Sequence, residues 1–243
     1  MTLVLCYHAV SAEWDDPLAV APQTLGRQLA AAIRWGWRPA TLADVVGGRK
    51  RGLHVTFDDG FRNVLAALPL LERLGVQATI FVCTGFVGRQ LDLPPLQTVP
   101  AEHRHELVTM SWEELREAVE RGLAIESHTQ RHPDLRKLSD DELRREVAVS
   151  REEIETELGR RCRYLAYPYG QFDRRVQIAA ERAGYDAAFG LVGVGKLGGR
   201  FAVPRVELSR RDGPAGIAFK GTRAWPLLSP RVRRLRGALA RLR

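Results

Sequence analysis

The sequence predicts an α/β fold in which a parallel sheet closes into a barrel. The chain has 243 residues, 45% of them hydrophobic and 27% charged, which suits one globular domain. Short apolar runs of strand character alternate with helical stretches, a pattern typical of parallel strands covered by helices. Seven or eight such units fit into roughly 210 residues, which favours a closed barrel over an open sheet.

Each element follows from its local pattern. Short apolar runs predict strands at 3–7, 53–57, 78–83, 123–127, 164–167, 187–191 and 203–208. Apolar residues at helical spacing, with capping and stop signals, predict helices at 24–35, 62–74, 111–122, 139–159 and 174–184. Capping boxes open two of these helices, Ser111 with Glu114 and Ser139 with Glu142. The Pro-containing segment 85–109 has weak periodicity and predicts a long connection that is either a functional lid or disordered.

The net charge of +8 comes from the end of the chain. Eight of the 37 Lys and Arg residues lie from Lys220 onward and no acidic residue follows Asp212, so residues 1–219 carry equal numbers of basic and acidic side chains. A nucleic-acid-binding domain would carry a basic face on its folded body. We therefore expect no nucleic-acid partner, and we divide the chain into a globular domain at 1–219 and a basic tail at 220–243.

The tail has an amphipathic pattern, with leucines and a valine at helical spacing and arginines between them. The pattern predicts an amphipathic helix, for which four alternatives stay open. It contacts an anionic membrane surface through residues 228–243, or it packs on the barrel, or it extends into solvent as a frayed tail, or it binds a partner.

The hydrophobic segments and the cysteines of the sequence indicate the cellular compartment. The chain has no apolar run of about 18 residues, and its first residues lack the basic and apolar regions of a signal peptide. The three widely spaced cysteines do not predict a disulfide framework. We expect a cytoplasmic location, with peripheral contact to the inner membrane face through the tail.

Four polar groups follow predicted strands, at the end where an α/β barrel holds its active site. They are His8, the pair Asp58-Asp59, the pair His128 and His132, and the turn Tyr167-Pro168-Tyr169-Gly170. Adjacent carboxylates repel unless a cation lies nearby, and histidines four residues apart share a face if the segment makes a helical turn. Taken singly, each group is also compatible with an ordinary turn or a structural histidine.

Together the groups suit a divalent cation. Asp59, His128 and His132 form a donor set of the kind that binds catalytic zinc or a similar ion. Asp58 is placed to act as a base on water, and His8 to supply a proton on the opposite side.

Three segments resemble motifs of the polysaccharide deacetylases, carbohydrate esterases of family four with the NodB homology domain. The segments are Thr56-Phe57-Asp58-Asp59-Gly60, His128-Thr129-Gln130-Arg131-His132-Pro133 and Tyr167-Pro168-Tyr169-Gly170. The resemblance covers roughly residues 1–208. It implies a distorted (β/α)7 barrel of the TIM type and metal-dependent removal of N- or O-acetyl groups from sugars.

Carried over to this chain, the resemblance makes Asp58 the general base and Tyr169 the residue whose backbone N–H binds the oxyanion. Asp59, His128 and His132 become the ligands of one divalent ion, zinc, with nickel, cobalt or iron as alternatives. Residues 1–219 then form the catalytic domain.

Two departures from the family pattern determine which residues we expect to act as the general acid and as the arginine that orients the base. Ala166 stands where the family has an arginine that orients the base, and no histidine follows His132 to supply a late general acid. A permuted subgroup similar to the poly-N-acetylglucosamine deacetylases takes its acid from an N-terminal Tyr-His, which Tyr7-His8 matches. We therefore expect His8 to be the acid and Arg205 to replace the orienting arginine.

The expected substrate is an acetylated carbohydrate, such as an N-acetylhexosamine-containing glycan or a precursor in exopolysaccharide biosynthesis. We expect Tyr169, Trp14 and Arg205 to bind it, Trp14 because an indole ring in a polar loop after His8 can stack on a sugar. Two alternatives stay open: an amidase acting on a small non-sugar amide, and an inactive glycan-binding protein on the same fold. No feature of the sequence predicts an oligomeric state.

Overall fold

Seven parallel strands form a closed barrel in the computed structural model, which describes residues 2–194, 196–220, 222 and 225. The strands are β1 Leu3–Tyr7, β2 Gly52–Phe57, β3 Ala78–Val82, β4 Ala124–Ser127, β5 Tyr164–Ala166, β6 Ala187–Leu191 and β7 Val203–Glu207. From β2 to β7 the strands pair in chain order, and β1 pairs with both β2 and β7, which closes the sheet. The predicted fold class is confirmed.

Seven α-helices, within the described part of the chain, surround this barrel. They are α1 Pro22–Arg34, α2 Leu42–Val46, α3 Leu68–Leu74, α4 Trp112–Glu120, α5 Asp140–Leu158, α6 Arg174–Arg182 and α7 Pro214–Lys220. Both predicted capping boxes are present, since the hydroxyls of Ser111 and Ser139 accept the backbone N–H groups of Glu114 and Glu142. Further short elements are two-residue strands at Ala9–Val10, Ala19–Val20 and Arg38–Pro39, and 3₁₀ turns at Arg62–Ala67, Thr84–Phe86, Pro94–Leu96, Ala101–Leu107, Leu135–Lys137 and Pro168–Gly170.

The prediction of one helix over residues 62–74 is wrong. Residues 62–74 do not make a single α-helix: a 3₁₀ turn at Arg62–Ala67 precedes α3. Pro69 lies in the first turn of α3. Its ring has no N–H to donate to the carbonyl of Leu65 and would clash with that carbonyl in a continuous helix, so the α-helix starts just before the proline.

The barrel strands separate an outer core from an inner one. Leu3, Leu5 and Tyr7 of β1 pack in the large cluster shared with the helices. Val4, between them, belongs to a smaller cluster, as expected when successive side chains of a strand point to opposite faces. The smaller cluster consists of Val4, Leu42, Val45, Phe81, Tyr164, Ala166, Ala187 and Phe189. The barrel interior thus contains this small apolar cluster together with buried polar side chains such as His54, Thr56 and Thr79.

The predicted basic tail lies almost wholly outside the described residues, so its helix and the boundary at 219/220 stay predictions. Within the described part of the chain, no helix combines the length and apolar character needed to cross a bilayer. Cys6, Cys83 and Cys162 are free and buried.

His54 on β2 provides a test of the buried polar core. Its Nδ1 lies 2.7 Å from the carbonyl oxygen of Ala40 and its Nε2 lies 2.9 Å from Oγ1 of Thr79. Burial lowers the pKa of His54 to about 4 from an ordinary 6.5. The unfolded chain therefore binds a proton between pH 6.5 and 4 that the folded chain does not, so the stability contributed by neutral His54 is present above pH 6.5 and is lost as the pH falls towards 4.

We expect the free energy of unfolding to fall by about 3 kcal/mol over this interval because of His54 alone. In His54→Gln the dependence on pH should be correspondingly weaker. Urea unfolding of both proteins at several pH values between 4 and 7.5, with chelator present, measures the difference. Parallel pH profiles would contradict the assignment.

Candidate active site

The sequence-predicted polar groups meet at the mouth of the barrel formed by the carboxyl ends of the strands. His8 follows β1, Asp58 and Asp59 follow β2, and His128 follows β4. Tyr169 lies in the 3₁₀ turn after β5. Closure of the sheet brings these strand ends around one cavity of about 390 Å³, which all five of these residues line together with His132.

Three potential ligands converge at the base of the cavity. Oδ1 of Asp59 lies 3.7 Å from Nε2 of His128 and 3.7 Å from Nε2 of His132. All three side chains are buried. Distances of 3.7 Å are too long for hydrogen bonds. Asp59 Oδ1 and His132 Nδ1 have no hydrogen-bond partner among the described residues. Two imidazole nitrogens and one carboxylate oxygen facing one another fit a divalent ion such as zinc.

Hydrogen bonding prepares His128 as a ligand. Its Nδ1 lies 2.8 Å from the carbonyl oxygen of Ala166. Because a carbonyl can only accept, Nδ1 carries a proton, and Nε2 is the ring nitrogen that faces Asp59. Burial and the nearby His128 lower the pKa of His132 to about 4, so the His132 ring is neutral near pH 7, the form that binds a metal.

The segment that carries both histidines is held by Glu146 of α5. Oε2 of Glu146 accepts the backbone N–H of Gln130 at 3.0 Å and that of Arg131 at 2.9 Å. The Glu146 side chain is only 5% exposed. One buried carboxylate thus fixes the two peptide groups between the ligands. Sequence reasoning missed Glu146, although a carboxylate on the buried face of α5, between Leu143 and Val147, was a possible signal.

Backbone strain is concentrated in the same motifs. Asp59, Thr129, His132 and Tyr169 have φ values of 71°, 70°, 58° and 58°. Residues other than glycine rarely adopt this left-handed region, and they stay there only where surrounding contacts over-determine the backbone. For His132 one such contact is the hydrogen bond from its N–H to Oγ1 of Thr129 at 3.1 Å.

Asp58 is paired with Arg205. Nη1 of Arg205 donates to Oδ1 of Asp58 at 2.6 Å, and Nη2 donates to Oδ2 at 2.8 Å. Burial alone would raise the pKa of Asp58, but the charge of Arg205 and the hydrogen bonds from Arg205 outweigh it and hold the pKa well below its usual value. Asp58 is therefore a fixed, ionised carboxylate.

The sequence led to two expectations for Arg205, substrate binding and orientation of the base, and this geometry agrees only with the second. The side chain is fully buried beneath Asp58, so the expectation that it binds substrate directly is wrong. Its bidentate contact with Asp58 is that of the expected replacement for the orienting arginine absent at Ala166.

A second group of possible ligands, Cys6, His8 and Asp58, lies beside the first, with ligand atoms within 4.8 Å of one another. Sγ of Cys6 donates to Oδ2 of Asp58 at 3.4 Å. Burial raises the pKa of the Cys6 thiol, which disfavours the thiolate that metals bind. Because Arg205 already neutralises Asp58, Asp59, His128 and His132 are the group that fits a metal better.

The two aromatic residues expected to bind substrate, Tyr169 and Trp14, differ in their exposure. Tyr169 is 41% exposed, and its ring centroid lies 4.5 Å from that of His132, at the cavity wall. Trp14 is 3% exposed and packs edge-on against Phe61. The expectation that Trp14 stacks on a sugar is therefore wrong, because its ring is part of the core.

The segment predicted as a long connection forms part of the wall. Leu93, Pro95 and Leu96 line the cavity. The segment is ordered by backbone hydrogen bonds such as Leu91 N–H to the carbonyl of Leu107 at 2.8 Å. Of the two alternatives for residues 85–109, the disordered one is therefore wrong, and the segment forms a wall of the cavity.

Comparison with known proteins agrees with this geometry. The family model described as polysaccharide deacetylase matches residues 46–188. The chain belongs to this family, whose members are hydrolases that act on amide bonds of acetylated sugars.

Two relatives show how far the sequence similarity extends. YxkH of Bacillus subtilis (strain 168) is 29% identical over 168 residues, which are 68% of this chain and 53% of the relative. The poly-β-1,6-N-acetyl-D-glucosamine N-deacetylase of Staphylococcus aureus (strain N315) is 28% identical over 175 residues, 66% of this chain and 55% of the relative. The chain spans about half the length of these relatives.

Solved structures show the same fold. The Streptococcus pyogenes deacetylase PplD in complex with acetate superposes with a TM-score of 0.73 at 21% identity, over 90% of this chain and 96% of that chain. IcaB from Ammonifex degensii gives a TM-score of 0.72 at 24% identity, over 93% and 96% of the two chains. The family and the fold implied by the sequence motifs are confirmed.

Arg205→Met should lower the free energy of unfolding by about 3–5 kcal/mol, because it leaves the Asp58 charge buried without a partner. Adding Asp58→Asn in the same chain should recover part of this loss, since the unpaired charge is then removed. Urea unfolding of the two single variants and the double variant measures both effects. Wild-type stability in Arg205→Met would contradict the pairing.

Glu146→Ala should weaken metal binding by about 10–100-fold, because the peptide groups between His128 and His132 lose their common acceptor. Competition with a chromogenic zinc chelator measures the affinity. Glu155→Ala is the matched control: it removes another carboxylate of the same helix, one that accepts the backbone N–H of Cys162 at 3.1 Å. Equal losses in both variants would mean that general destabilisation, not ligand positioning, is responsible.

Proposed function

We propose that this chain is a metal-dependent deacetylase that hydrolyses N-acetyl groups of an N-acetylhexosamine-containing glycan. One observation carries the proposal: the ligand set Asp59, His128 and His132 shares a cavity with the ionised Asp58 and with His8. A base, a proton donor and a metal site around one cavity are the groups that amide hydrolysis requires.

The name of one relative indicates the substrate class. The Staphylococcus aureus relative is named as a deacetylase of poly-β-1,6-N-acetyl-D-glucosamine. We extend this to the present chain as oligomers or polymers of N-acetylglucosamine, with O-acetyl groups as the secondary possibility. Attachment to the inner membrane face through residues 228–243 stays part of the proposal.

Zinc suits the ligand set best, and nickel, cobalt and iron(II) accept the same donors. Bound by Asp59, His128 and His132, such an ion would supply Lewis-acid polarisation of the acetyl carbonyl. The remaining chemistry belongs to side chains and backbone of the chain.

Asp58 accepts a proton from the attacking water, whose oxygen forms a bond to the carbonyl carbon. Arg205 keeps the Asp58 carboxylate ionised and fixes its orientation, so the base is ready over a wide pH range. The backbone N–H of Tyr169 donates to the oxyanion. His8 then gives a proton to the sugar nitrogen as the C–N bond breaks, which releases acetate and a free amine.

Acetate release from β-1,6-linked N-acetylglucosamine oligomers tests the proposal. Wild-type protein purified without added metal or chelator should hold about one divalent ion per chain, measured by elemental analysis, and His132→Ala should lose it. Asp58→Asn should keep the ion and lose turnover by roughly 10²–10⁴-fold, and His8→Ala should behave similarly.

The outcomes separate the alternatives. A wild-type chain that binds metal and oligosaccharide but releases no acetate would be a glycan-binding protein. Release from a small non-sugar amide alone would identify an amidase. A wild-type chain that takes up no metal even on reconstitution would exclude the proposed hydrolysis.

A further inference from the structure

The proposed proton donor, His8, comes directly after the last residue of β1, Tyr7, and lines the cavity at the barrel mouth. A general acid works only within hydrogen-bond reach of the atom that it protonates, so its position must be fixed. The base Asp58 and the histidines of the metal site are supported by buried groups, Arg205 and Glu146. A buried amide on α1 holds the chain around His8 in a comparable way.

Gln28 of α1 fixes the residue that precedes His8. Its Oε1 accepts the hydroxyl of Tyr7 at 2.9 Å, and both residues are only 1% exposed. The carbonyl oxygen of Tyr7 also accepts the backbone N–H of Asp58 at 2.9 Å. Tyr7 is thus held through its side chain and its main chain, and one peptide bond joins it to His8.

The same amide holds the segment 208–213 that follows β7, which we call the β7 loop. Nε2 of Gln28 donates to the carbonyl oxygens of Ser209 and Asp212 at 2.9 and 2.7 Å. His8 and most of the β7 loop line one small cavity, so the loop bounds the space beside His8. One amide therefore uses its acceptor on the residue before His8 and both of its N–H groups on the loop beside it.

The β7 loop has further hydrogen bonds of its own. Oδ2 of Asp212 accepts the backbone N–H of Ser209 at 2.8 Å, and Oδ1 lies 2.7 Å from Nζ of Lys220. The backbone N–H of Leu208 donates to the carbonyl oxygen of Cys6 on β1 at 3.0 Å. Because the loop and the strand are each ordered by other contacts, loss of the Gln28 amide should shift one relative to the other before either unfolds.

We infer that Gln28 is a positioning residue for the proton donor His8. It acts through Tyr7 and the β7 loop and is itself buried away from the cavity. The inference rests on the proposed function and deepens it, because it names a residue on which the second half of the hydrolysis depends. In that half protonated His8 gives its proton to the sugar nitrogen, and the electrons of the breaking C–N bond stay on that nitrogen.

The kinetic test compares two leaving groups. An amine leaves only when its nitrogen is protonated, whereas 4-nitrophenolate leaves from 4-nitrophenyl acetate with the electrons of the C–O bond and needs no proton. Gln28→Met should therefore lower kcat for β-1,6-linked N-acetylglucosamine oligomers by about 10–100-fold, with KM and the turnover of 4-nitrophenyl acetate close to wild type. Tyr7→Phe removes a single hydroxyl and should act in the same direction by a smaller factor, which keeps the test decisive if Gln28→Met does not fold.

Gln177→Met is the matched control, because Nε2 of Gln177 also donates to a backbone carbonyl, that of Phe201 at 3.2 Å. It should leave both rates as in wild type. Equal losses for the amide and the ester in Gln28→Met and Tyr7→Phe would indicate general damage to the site. That result, or unchanged turnover of the amide, would overturn the inference.

A double-mutant cycle tests whether Gln28 acts through His8. In a His8→Ala background, Gln28→Met should cause no further loss of amide turnover, because the group that it positions is already absent. If the two losses instead multiply, Gln28 acts on some other part of the site and the inference is wrong.

NMR separates this inference from the proposed function. The chain has six histidines, and in protein labelled with ¹³C at histidine Cε1 the resonance of His8 is identified by its loss in His8→Ala. Gln28→Met should shift or broaden this resonance and leave those of His103 and His105 unchanged. If no acetylated saccharide is turned over, the proposed function fails, and the spectrum still decides the position of His8: a resonance identical to that of wild type overturns the inference.

Discussion

The buried ion pair between Arg205 and Asp58 is the interaction on which the site depends. Both charges are out of water, and either one alone would be costly there, so each makes the other possible. The two residues lie on β7 and after β2, strands that are brought to the same place only because both pair with β1. Arg205 also donates to Oγ1 of Thr56 at 3.1 Å, and its guanidinium lies 5.2 Å from the ring centroid of Phe81. The Arg205 guanidinium therefore lies inside the barrel, below the carboxylate of Asp58 at its mouth.

Support for the metal ligands comes from the opposite side of the sheet. Glu146 on an outer helix binds the peptide groups between His128 and His132, while the Ala166 carbonyl on β5 orients the His128 ring. The ligands are thus fixed by contacts from both the helix layer and a neighbouring strand. These contacts over-determine the backbone around His132, which is how its φ of 58° is maintained.

The sequence could predict those features that depend on local pattern. The ends of the strands, the capping boxes and the motif residues follow from neighbours within a few positions, and they lie where the sequence indicated. The break before α3 is also a local feature, since Pro69 cannot continue an α-helix from the preceding turn, although the apolar periodicity of residues 62–74 alone favours one helix. Trp14 could not be placed from sequence, since its burial depends on packing against Phe61, 47 positions later. Arg205 could be suggested but not assigned to a function, because its contact with Asp58 joins residues 147 positions apart and exists only once the barrel closes.

The segment between β3 and α4 forms an apolar wall of the cavity that holds the candidate active site. Its leucines at 91 and 107 are buried, and backbone hydrogen bonds join Gly88 to Met110 at 2.8 Å and Thr109 to Arg89 at 2.9 Å. These contacts make it a fixed apolar wall and not a segment that must open, because displacing it would expose core side chains. Leu93 and Leu96 then present methyl groups to the cavity where an acetyl methyl can be accommodated. In the proposed reaction the polar part of the sugar would face away from this wall, towards His8 on the opposite side of the cavity.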